Sequence, residues 1–131
     1  MGNPHAVIRV EDVDAAPVAE VGPRMEYFSA FPARVNVGFL QVVSRTRGKL
    51  RVWERGAGET LACGTGACAV TAAAVWQGYC RYDENVEVRQ PGGILTTAYL
   101  ADGRMLMEGP TEYVFEGYFD IPIASFYNGT R

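Results

Sequence analysis

Several features that would assign the chain quickly to a class are scarce in its sequence. It has three cysteines and one histidine among 131 residues, and the cysteines form neither a disulfide framework nor a Cys-x2-Cys pair of the kind that binds zinc. The formal net charge is −3 and the arginines are scattered, whereas binding to phosphates needs a concentrated basic patch. We therefore expect no metal site and no nucleic-acid partner.

Long apolar runs are also absent. The longest charge-free stretch, Thr60 to Cys80, contains glycine, threonine and glutamine and has a helical pattern, so no membrane span is expected. The opening residues, Met1 to His5, lack the basic start and apolar block of a signal peptide. Together with the odd number of cysteines, these observations predict a cytoplasmic protein.

What the chain does have is the composition of an ordinary folded domain, with 48% hydrophobic and 21% charged residues. Its length is sufficient for one domain with its own core. We expect that domain to span residues 1–123, and we expect the tail, residues 124–131, to be loose.

The first half of the chain predicts strands around a short helical segment. Two prolines suit first-turn helix positions, so Pro17–Ala30 is expected to form one or two short helices that are broken near Gly22. Asp14 is the expected cap of the first helix. Arg47-Gly48 is expected to form a hairpin turn between two strands. Three segments predict strands: 5–10, 34–43 and 49–54.

The second half centres on an uncharged helix. Thr65–Gln77 is rich in alanine, and Gly78 suits the residue after a helix end. A helix that is apolar on every side must be buried on every side, which implies that a sheet curves around it. Four further strands are predicted, with Asp102-Gly103 as one hairpin turn: 86–90, 94–101, 104–108 and 113–121. The expected fold class is α+β, with a mixed, mostly antiparallel curved sheet wrapped around a central apolar helix.

The main chemical candidate is Cys63, in Cys63-Gly64-Thr65-Gly66, where a glycine-rich loop turns into that helix. A helix start presents unpaired N–H groups and the positive end of the helix dipole. A thiol at this position is therefore expected to be more acidic, and the thiolate is its reactive form. The same N–H groups can hold a carboxylate, so one loop can bind a substrate carboxylate and place a base beside its α-carbon.

Other interpretations of these residues stay open. Cys63 can instead be a small buried apolar residue, as many free cysteines are, and Cys68 and Cys80 are expected to be packing or structural residues. Gly64-x-Gly66-x-x-Ala69 fits a dinucleotide fingerprint, but a long loop separates it from the preceding strand. No Gly-Lys-Ser/Thr occurs, which excludes a phosphate-binding P-loop.

Several segments occur in the order seen in one known family. They are Gly2-Asn3-Pro4-His5, Arg34–Phe39, Glu54–Thr60, Ala62–Ala67, Pro91-Gly92-Gly93 and Met107–Pro110. By these motifs the chain resembles the diaminopimelate epimerase family over nearly its whole length, to about Asp120. The resemblance implies an enzyme that needs no pyridoxal phosphate or other cofactor and interconverts LL- and meso-diaminopimelate in lysine and cell-wall synthesis.

The resemblance also implies roles for individual residues. Family members use two cysteines on opposite faces of the substrate's α-carbon, one removing a proton as the thiolate and the other delivering one. Cys63 matches the second of these cysteines, and Gly64 and Thr65 match residues whose backbone N–H groups hold the reacting carboxylate. His5 and Glu54 match groups that assist proton transfer. The positions that match substrate contacts are Asn3, Asn36, Glu54 and Arg55.

The chain departs from the family in its length. Family members have two similar domains, and the first carries the other cysteine, which has no counterpart here. The resemblance therefore predicts a C-terminal half that lacks its N-terminal domain, has little or no activity alone, and associates with itself as a homodimer through an exposed apolar face. A proline racemase-like or phenazine-synthesis-type isomerase half is an alternative, and a non-catalytic assembly domain is another.

Overall fold

The strands and helices of the computed structural model are described over residues 2–120. In chain order they are β1 (His5–Arg9), α1 (Val18–Glu26), β2 (Asn36–Ser44), β3 (Arg47–Glu54), β4 (Gly58–Thr60), α2 (Gly64–Trp76), β5 (Val86–Gln90), β6 (Gly93–Tyr99) and β7 (Met105–Glu108). Neither helix of this part of the chain is long and apolar enough to cross a membrane.

The strands form one mixed sheet in the order β1-β2-β3-β5-β6-β7, and β4 pairs with β3. The β1–β2 and β3–β5 pairs are parallel, while the other neighbours are antiparallel. The sheet is open, with β1 at one edge and β7 at the other. The predicted mixed, mostly antiparallel sheet is confirmed.

Helix α2 lies inside the curve of this sheet and contacts strands from β1 at one edge to β7 at the other. Its residues are buried or half-buried as far as Val75, and only the last, Trp76, is exposed. The helix approaches β2 closely, since a Cβ at Gly38 would lie 3.1 Å from Val70 Cγ1. Gly78 follows the helix end with φ +78°. The predicted central apolar helix and its glycine terminator are confirmed.

The opposite face of the sheet is covered by α1. Val37 and Phe39 of β2 point into this second core, whereas Leu40 belongs to the core beneath α2. The middle of β2 is therefore buried on both faces, and a fully buried side chain such as Phe39 contributes roughly 1.5–3 kcal/mol. The sheet is a wall between two hydrophobic cores, and this positions the ends of β1 and β3 beside the start of α2.

The predicted break in the first helical segment is wrong. Gly22 lies inside the continuous helix α1, where its Cβ would come within 2.5 Å of Trp53 Cγ. Glycine is required there for close packing rather than for a chain break. Asp14 is not the cap, because the N-cap position is Pro17 and the Asp14 carboxylate instead pairs with Lys49 at 3.4 Å.

The predicted turn at Arg47-Gly48 is also wrong. Arg45-Thr46 makes the turn between β2 and β3, and Gly48 is a buried strand residue whose Cβ would lie 3.1 Å from Leu40 Cδ1. Asp102-Gly103 does lie in the connection between β6 and β7, as predicted. Gly103 has φ +89° there.

The strand predicted over residues 113–121 is absent from the described part of the segment. Residues 109–120 form neither helix nor strand, and their side chains are exposed. An isolated alternating segment cannot form a strand without a neighbouring strand to accept its hydrogen bonds. Residue 121 and the predicted loose tail, 124–131, lie outside the described residues.

Candidate active site

Cys63 is the residue at which α2 begins. Its backbone is extended, with φ −141° and ψ 111°, and its carbonyl accepts a hydrogen bond from Ala67 N at 2.9 Å. Its sulfur accepts a hydrogen bond from Gly66 N at 3.3 Å. The thiol therefore caps the helix as an oxygen side chain does in an ordinary N-cap, and the predicted placement of Cys63 at the helix start is confirmed.

The first turn of α2 is closely packed around the thiol. A Cβ at Gly66 would lie 3.2 Å from Cys63 Sγ, and one at Gly64 would lie 3.1 Å from Met107 Sδ. The leading N–H groups of a helix have no acceptor within the helix. Those of Gly64 and Thr65 find no other acceptor among residues 2–120, so they are available to an anion.

Gln90 fixes the loop that leads into this turn, and it was not among the site residues predicted from the sequence. Its side-chain Oε1 accepts a hydrogen bond from Cys63 N at 2.7 Å. In the adjacent hairpin turn, Gly92 N donates to Leu61 O, also at 2.7 Å. The alternation of buried and exposed residues along β5 could have indicated this role, because Val86 and Val88 point inward and Gln90 occupies the next inward position. A polar side chain that points into the core needs a hydrogen-bond partner there.

Glu54 faces the thiol from the end of β3. Its Oε2 accepts from Cys63 Sγ at 3.4 Å, and its Oε1 accepts from the Thr60 hydroxyl at 2.6 Å. The period-two alternation of β3 brings Glu54 to the same face as Leu50 and Val52, whose side chains lie in the core with Cys63. The hydroxyl of Thr60 orients the carboxylate, and Thr60 was not among the site residues predicted from the sequence.

Asn3 and His5 reach the same cluster from the start of the chain. The Thr65 hydroxyl oxygen lies 3.0 Å from Asn3 Nδ2, 3.2 Å from His5 Nε2 and 3.5 Å from Cys63 Sγ. The parallel pairing of β1 with β2 carries His5 to this end of the sheet. Residues separated by about half of the chain are thus brought together around one thiol.

Asn36 and Arg55 make their hydrogen bonds elsewhere. The buried Asn36 Oδ1 accepts from Arg55 N at 2.8 Å, and the Arg55 guanidinium donates to Ala33 O at 2.8 Å. Asn36 lies beside His5 in the strand register, so it adjoins the cluster through its neighbour. The expectation that a buried amide at position 36 needs a partner is confirmed.

The Cys63 thiol is less acidic than the helix-start argument predicts. Burial raises the pKa of Cys63 above its ordinary value of 9.0, hydrogen bonds from the Thr65 hydroxyl and Gly66 N–H oppose this rise, and the Glu54 carboxylate adds to it. The prediction of a lowered pKa is therefore wrong for this chain. Desolvation and a neighbouring negative charge outweigh the N–H groups, so the thiol needs a proton acceptor close by.

His5 is such a group in the resting site. Burial lowers the pKa of His5 below its ordinary value of 6.5, and the charge of Glu54 opposes that lowering. The imidazole is consequently neutral at neutral pH and can either accept or donate a hydrogen bond at Nε2, depending on its tautomer.

The thiol cluster does not line the cavity that lies beside β3 and β5 in the described residues. A cavity of about 810 Å³ is lined by residues that include Lys49, Arg51, Arg89 and Gln90, but not by Cys63 or its partners Glu54 and Thr65. The cluster instead consists of hydrogen-bonding groups from β3 and the first turn of α2 around the thiol.

Known proteins share both this sequence and this fold. The sequence profile described as diaminopimelate epimerase matches residues 1–114. The diaminopimelate epimerase of Leptothrix cholodnii is 56% identical over 126 residues, which make up 95% of this chain and 42% of that protein. The diaminopimelate epimerase of Azotobacter vinelandii is 58% identical over 118 residues, 89% of this chain and again 42% of the relative. The chain thus spans about 42% of the length of these curated relatives.

Two solved phenazine biosynthesis proteins of the PhzF family resemble the fold. The one from Bacillus anthracis has a TM-score of 0.56 at 20% identity, covering 82% of this chain and 34% of that chain. The one from Enterococcus faecalis has a TM-score of 0.50 at 22% identity, covering 74% of this chain and 34% of that chain. At such identities the likeness concerns the fold alone. The profile match and the close relatives show more: the chain belongs to the diaminopimelate epimerase family.

Proposed function

We propose that this chain is the C-terminal half of a pyridoxal-independent diaminopimelate epimerase, in which Cys63 exchanges a proton with one face of the substrate's α-carbon. The observation that carries the proposal is the position of the sulfur. It caps α2 beside the free N–H groups of Gly64 and Thr65, and it lies 3.4 Å from Glu54 Oε2. A base and an anion site therefore adjoin each other, as proton abstraction next to a carboxylate requires.

The surrounding groups suit an amino-acid substrate. The N–H groups of Gly64 and Thr65 are proposed to hold the α-carboxylate at the positive end of α2. Asn3 Oδ1 is buried and has no hydrogen-bond partner among the described residues, which leaves an acceptor for the substrate's ammonium group. Arg55 is proposed to face a carboxylate with its exposed guanidinium, and Asn36, which is bonded to Arg55 N, is proposed to complete the substrate contacts.

The proposed reaction moves one proton onto the α-carbon and one away from it. The Cys63 thiolate takes the α-proton on Sγ and leaves the electron pair on the α-carbon. The thiol of a second cysteine, outside this chain, gives its proton to the opposite face. Because burial raises the pKa of Cys63, His5 is proposed to accept the thiol proton first, and the charge of Glu54 favours the protonated imidazole. The N–H groups that hold the substrate carboxylate then stabilise the negative charge that develops beside it.

The proposed partner is an N-terminal domain, which the resemblance to the family implies for the longer relatives. Beside the thiol, Leu61 and Met107 are largely exposed. After β7, five apolar side chains are each at least 79% exposed: Tyr113, Val114, Phe115, Tyr118 and Phe119. Surfaces of this kind mark interfaces. We expect that proposed domain to cover them, and we expect the chain alone to form a homodimer, which sedimentation at high micromolar concentration would detect.

The other candidate functions explain fewer of these observations. A phenazine-synthesis-type isomerase half would share the fold, and a proline racemase-like half is the other enzyme alternative. The relatives at 56–58% identity, however, carry the diaminopimelate epimerase name. A non-catalytic assembly domain has no need for a carboxylate and a hydroxyl on a buried thiol. The three cysteines are free and buried, in keeping with the reducing cytoplasm in which lysine biosynthesis is expected.

Exchange of the substrate's α-proton with deuterated water tests the proposal. The chain is mixed with the separately produced N-terminal domain of the Leptothrix cholodnii epimerase, and deuterium in diaminopimelate is measured by mass spectrometry. We expect exchange from the mixture, little from either half alone, and none when the chain carries Cys63→Ala. If a mixture that sedimentation shows to be assembled gives no exchange, the assembly-domain alternative replaces this proposal.

A further inference from the structure

The Thr65 hydroxyl has more hydrogen-bonding neighbours than it has positions to offer them. Its oxygen lies 3.0 Å from Asn3 Nδ2, 3.2 Å from His5 Nε2 and 3.5 Å from Cys63 Sγ. A hydroxyl has one proton to donate and two lone pairs that accept. The Asn3 amide nitrogen can only donate, so it occupies one lone pair. One proton and one lone pair remain, and His5 and Cys63 must share them.

Only two arrangements satisfy both neighbours. In the first, the hydroxyl donates to a bare His5 Nε2, and its remaining lone pair accepts the Cys63 S–H, which in that arrangement points to Thr65 instead of Glu54. In the second, His5 Nε2 carries a proton and donates it to Thr65, so the hydroxyl proton points at the Cys63 sulfur. The second arrangement is the one that stabilises a thiolate, because a hydrogen bond to a charged acceptor is stronger than one to a neutral acceptor.

We propose that the Thr65 hydroxyl couples the proton of Cys63 to that of His5, so that the thiolate forms together with a protonated imidazole. The thiol proton passes from Cys63 Sγ to Thr65 Oγ1 while the hydroxyl proton passes from Oγ1 to His5 Nε2. One S–H bond and one O–H bond break, one O–H bond and one N–H bond form, and nothing is oxidised or reduced. Thr65 is thus a positioning residue whose side chain acts separately from its backbone N–H.

The other charged and titratable groups around the pair limit where the proton can go. Glu54, on β3, accepts from the sulfur at 3.4 Å and is the competing acceptor. Cys68, further along α2, is buried and is raised in pKa by burial. Burial lowers the pKa of His5 and raises the pKa of Cys63, so the neutral thiol and imidazole form the resting state. The charged pair is then a minor, reactive state.

The charged pair predicts a distinctive pH profile for alkylation of Cys63. Thiolate paired with imidazolium carries the same number of protons as thiol paired with neutral imidazole. The fraction of the charged pair therefore does not change with pH over the range in which the neutral pair is the main form. The logarithm of the alkylation rate is therefore expected to have a flat shoulder that begins above the lowered pKa of His5 and ends where the imidazolium of the charged pair loses its proton. An uncoupled thiol instead gains tenfold in rate per pH unit throughout this range.

The experiment measures iodoacetamide labelling of Cys63 by peptide mass spectrometry from pH 5.5 to 10 in the unmodified chain and in variants. Thr65→Val keeps the backbone N–H and removes the hydroxyl, so the shoulder should vanish and the rate at neutral pH should fall about ten- to hundredfold. Thr65→Ser keeps the hydroxyl and should restore the shoulder. Labelling of Cys80 in the same samples reports whether each variant remains folded.

His5→Leu completes the test, because it removes the other end of the relay. It should abolish the shoulder, and adding Thr65→Val to it should slow Cys63 no further, since both changes act through one hydroxyl proton. A profile without a shoulder in the unmodified chain overturns the coupling, as does a shoulder that survives Thr65→Val. The catalytic meaning of the relay rests on the proposed function, but this labelling uses no substrate, so the two can fail separately.

Discussion

Cys63 and Cys68 lie on the same helix and are almost equally buried, with 6% and 5% of their surfaces exposed. Cys63 contacts a carboxylate, a hydroxyl and a backbone N–H, whereas Cys68 has no side-chain hydrogen-bond partner in the described part of the chain. Burial raises the pKa of both thiols. Burial therefore does not distinguish the proposed reactive thiol, Cys63, from Cys68, which is proposed to be a packing residue; their polar partners do.

The largest expected effect separates the two thiols by activity. In the mixture with an N-terminal domain, Cys63→Ala should lower α-proton exchange by at least about a thousandfold, because it removes the group that holds the proton. Cys68→Ala removes a thiol of equal burial and should change the exchange rate less than about threefold. Comparable losses in both variants, measured at equal concentrations of assembled protein, would break the comparison.

Gln90 offers a second way to separate the two thiols, because its side chain is hydrogen-bonded to the backbone of Cys63. Gln90→Leu leaves the buried Cys63 N–H without its 2.7 Å acceptor and should lower the free energy of unfolding by about 1–3 kcal/mol. Gln41→Leu is the matched control, since Gln41 accepts from Val13 N at 3.2 Å on the other face of the sheet. Urea unfolding followed by tryptophan fluorescence measures the stability of both variants. Only the change at position 90 should alter the labelling rate of Cys63.

The charge of Glu54 provides an electrostatic test of the difference between Cys63 and Cys68. The carboxylate helps to raise the pKa of Cys63, so Glu54→Gln should lower that pKa and speed the labelling of Cys63 at neutral pH by about three- to tenfold. Labelling of Cys68 should be unchanged. Glu59→Gln removes the same charge from a residue paired with Arg51 at 2.7 Å and serves as the control. An unchanged Cys63 rate in Glu54→Gln would remove the electrostatic part of this account.

The smallest effect concerns stability at alkaline pH. Burial raises the pKa of Cys68 in the folded chain above its ordinary value of 9.0. Such a group contributes stability that is fully present below pH 9 and is lost as the pH rises through the folded pKa, because the unfolded chain loses the proton first. The thermal midpoint should therefore fall between pH 8 and pH 10.5. Cys68→Ala should show a shallower fall, and an equally steep fall would contradict this reading of Cys68.

The sequence was sufficient to predict the elements whose patterns are local. The uncharged run that forms α2, its glycine terminator and the strands β1, β2 and β5 follow from periodicity and turn chemistry. The position of Cys63 at a helix start follows from the same reasoning. Motifs spread along the chain supplied the family resemblance, and the chain's membership of that family confirmed it.

Features that depend on tertiary contacts were not predictable in this way. Gly22 and Gly48 look like breakers in the sequence, but each is a glycine because another side chain occupies the space of its Cβ. The role of Gln90 depends on a hairpin packing against a distant loop. The acidity of Cys63 was predicted from the helix start alone, whereas burial and Glu54 determine the direction of the pKa shift. Local patterns contain no information on any of these contacts.

The most direct measurement of the account is the ratio of labelling rates at Cys63 and Cys68 in the folded chain. Iodoacetamide labelling is followed by peptide mass spectrometry at neutral pH, with the chain unfolded in urea as the reference. Because the two thiols are equally buried, the account predicts that Cys63 is labelled at least about tenfold faster in the folded chain, and that the rates become equal on unfolding. Equal rates in the folded chain, or faster labelling of Cys68, would contradict it.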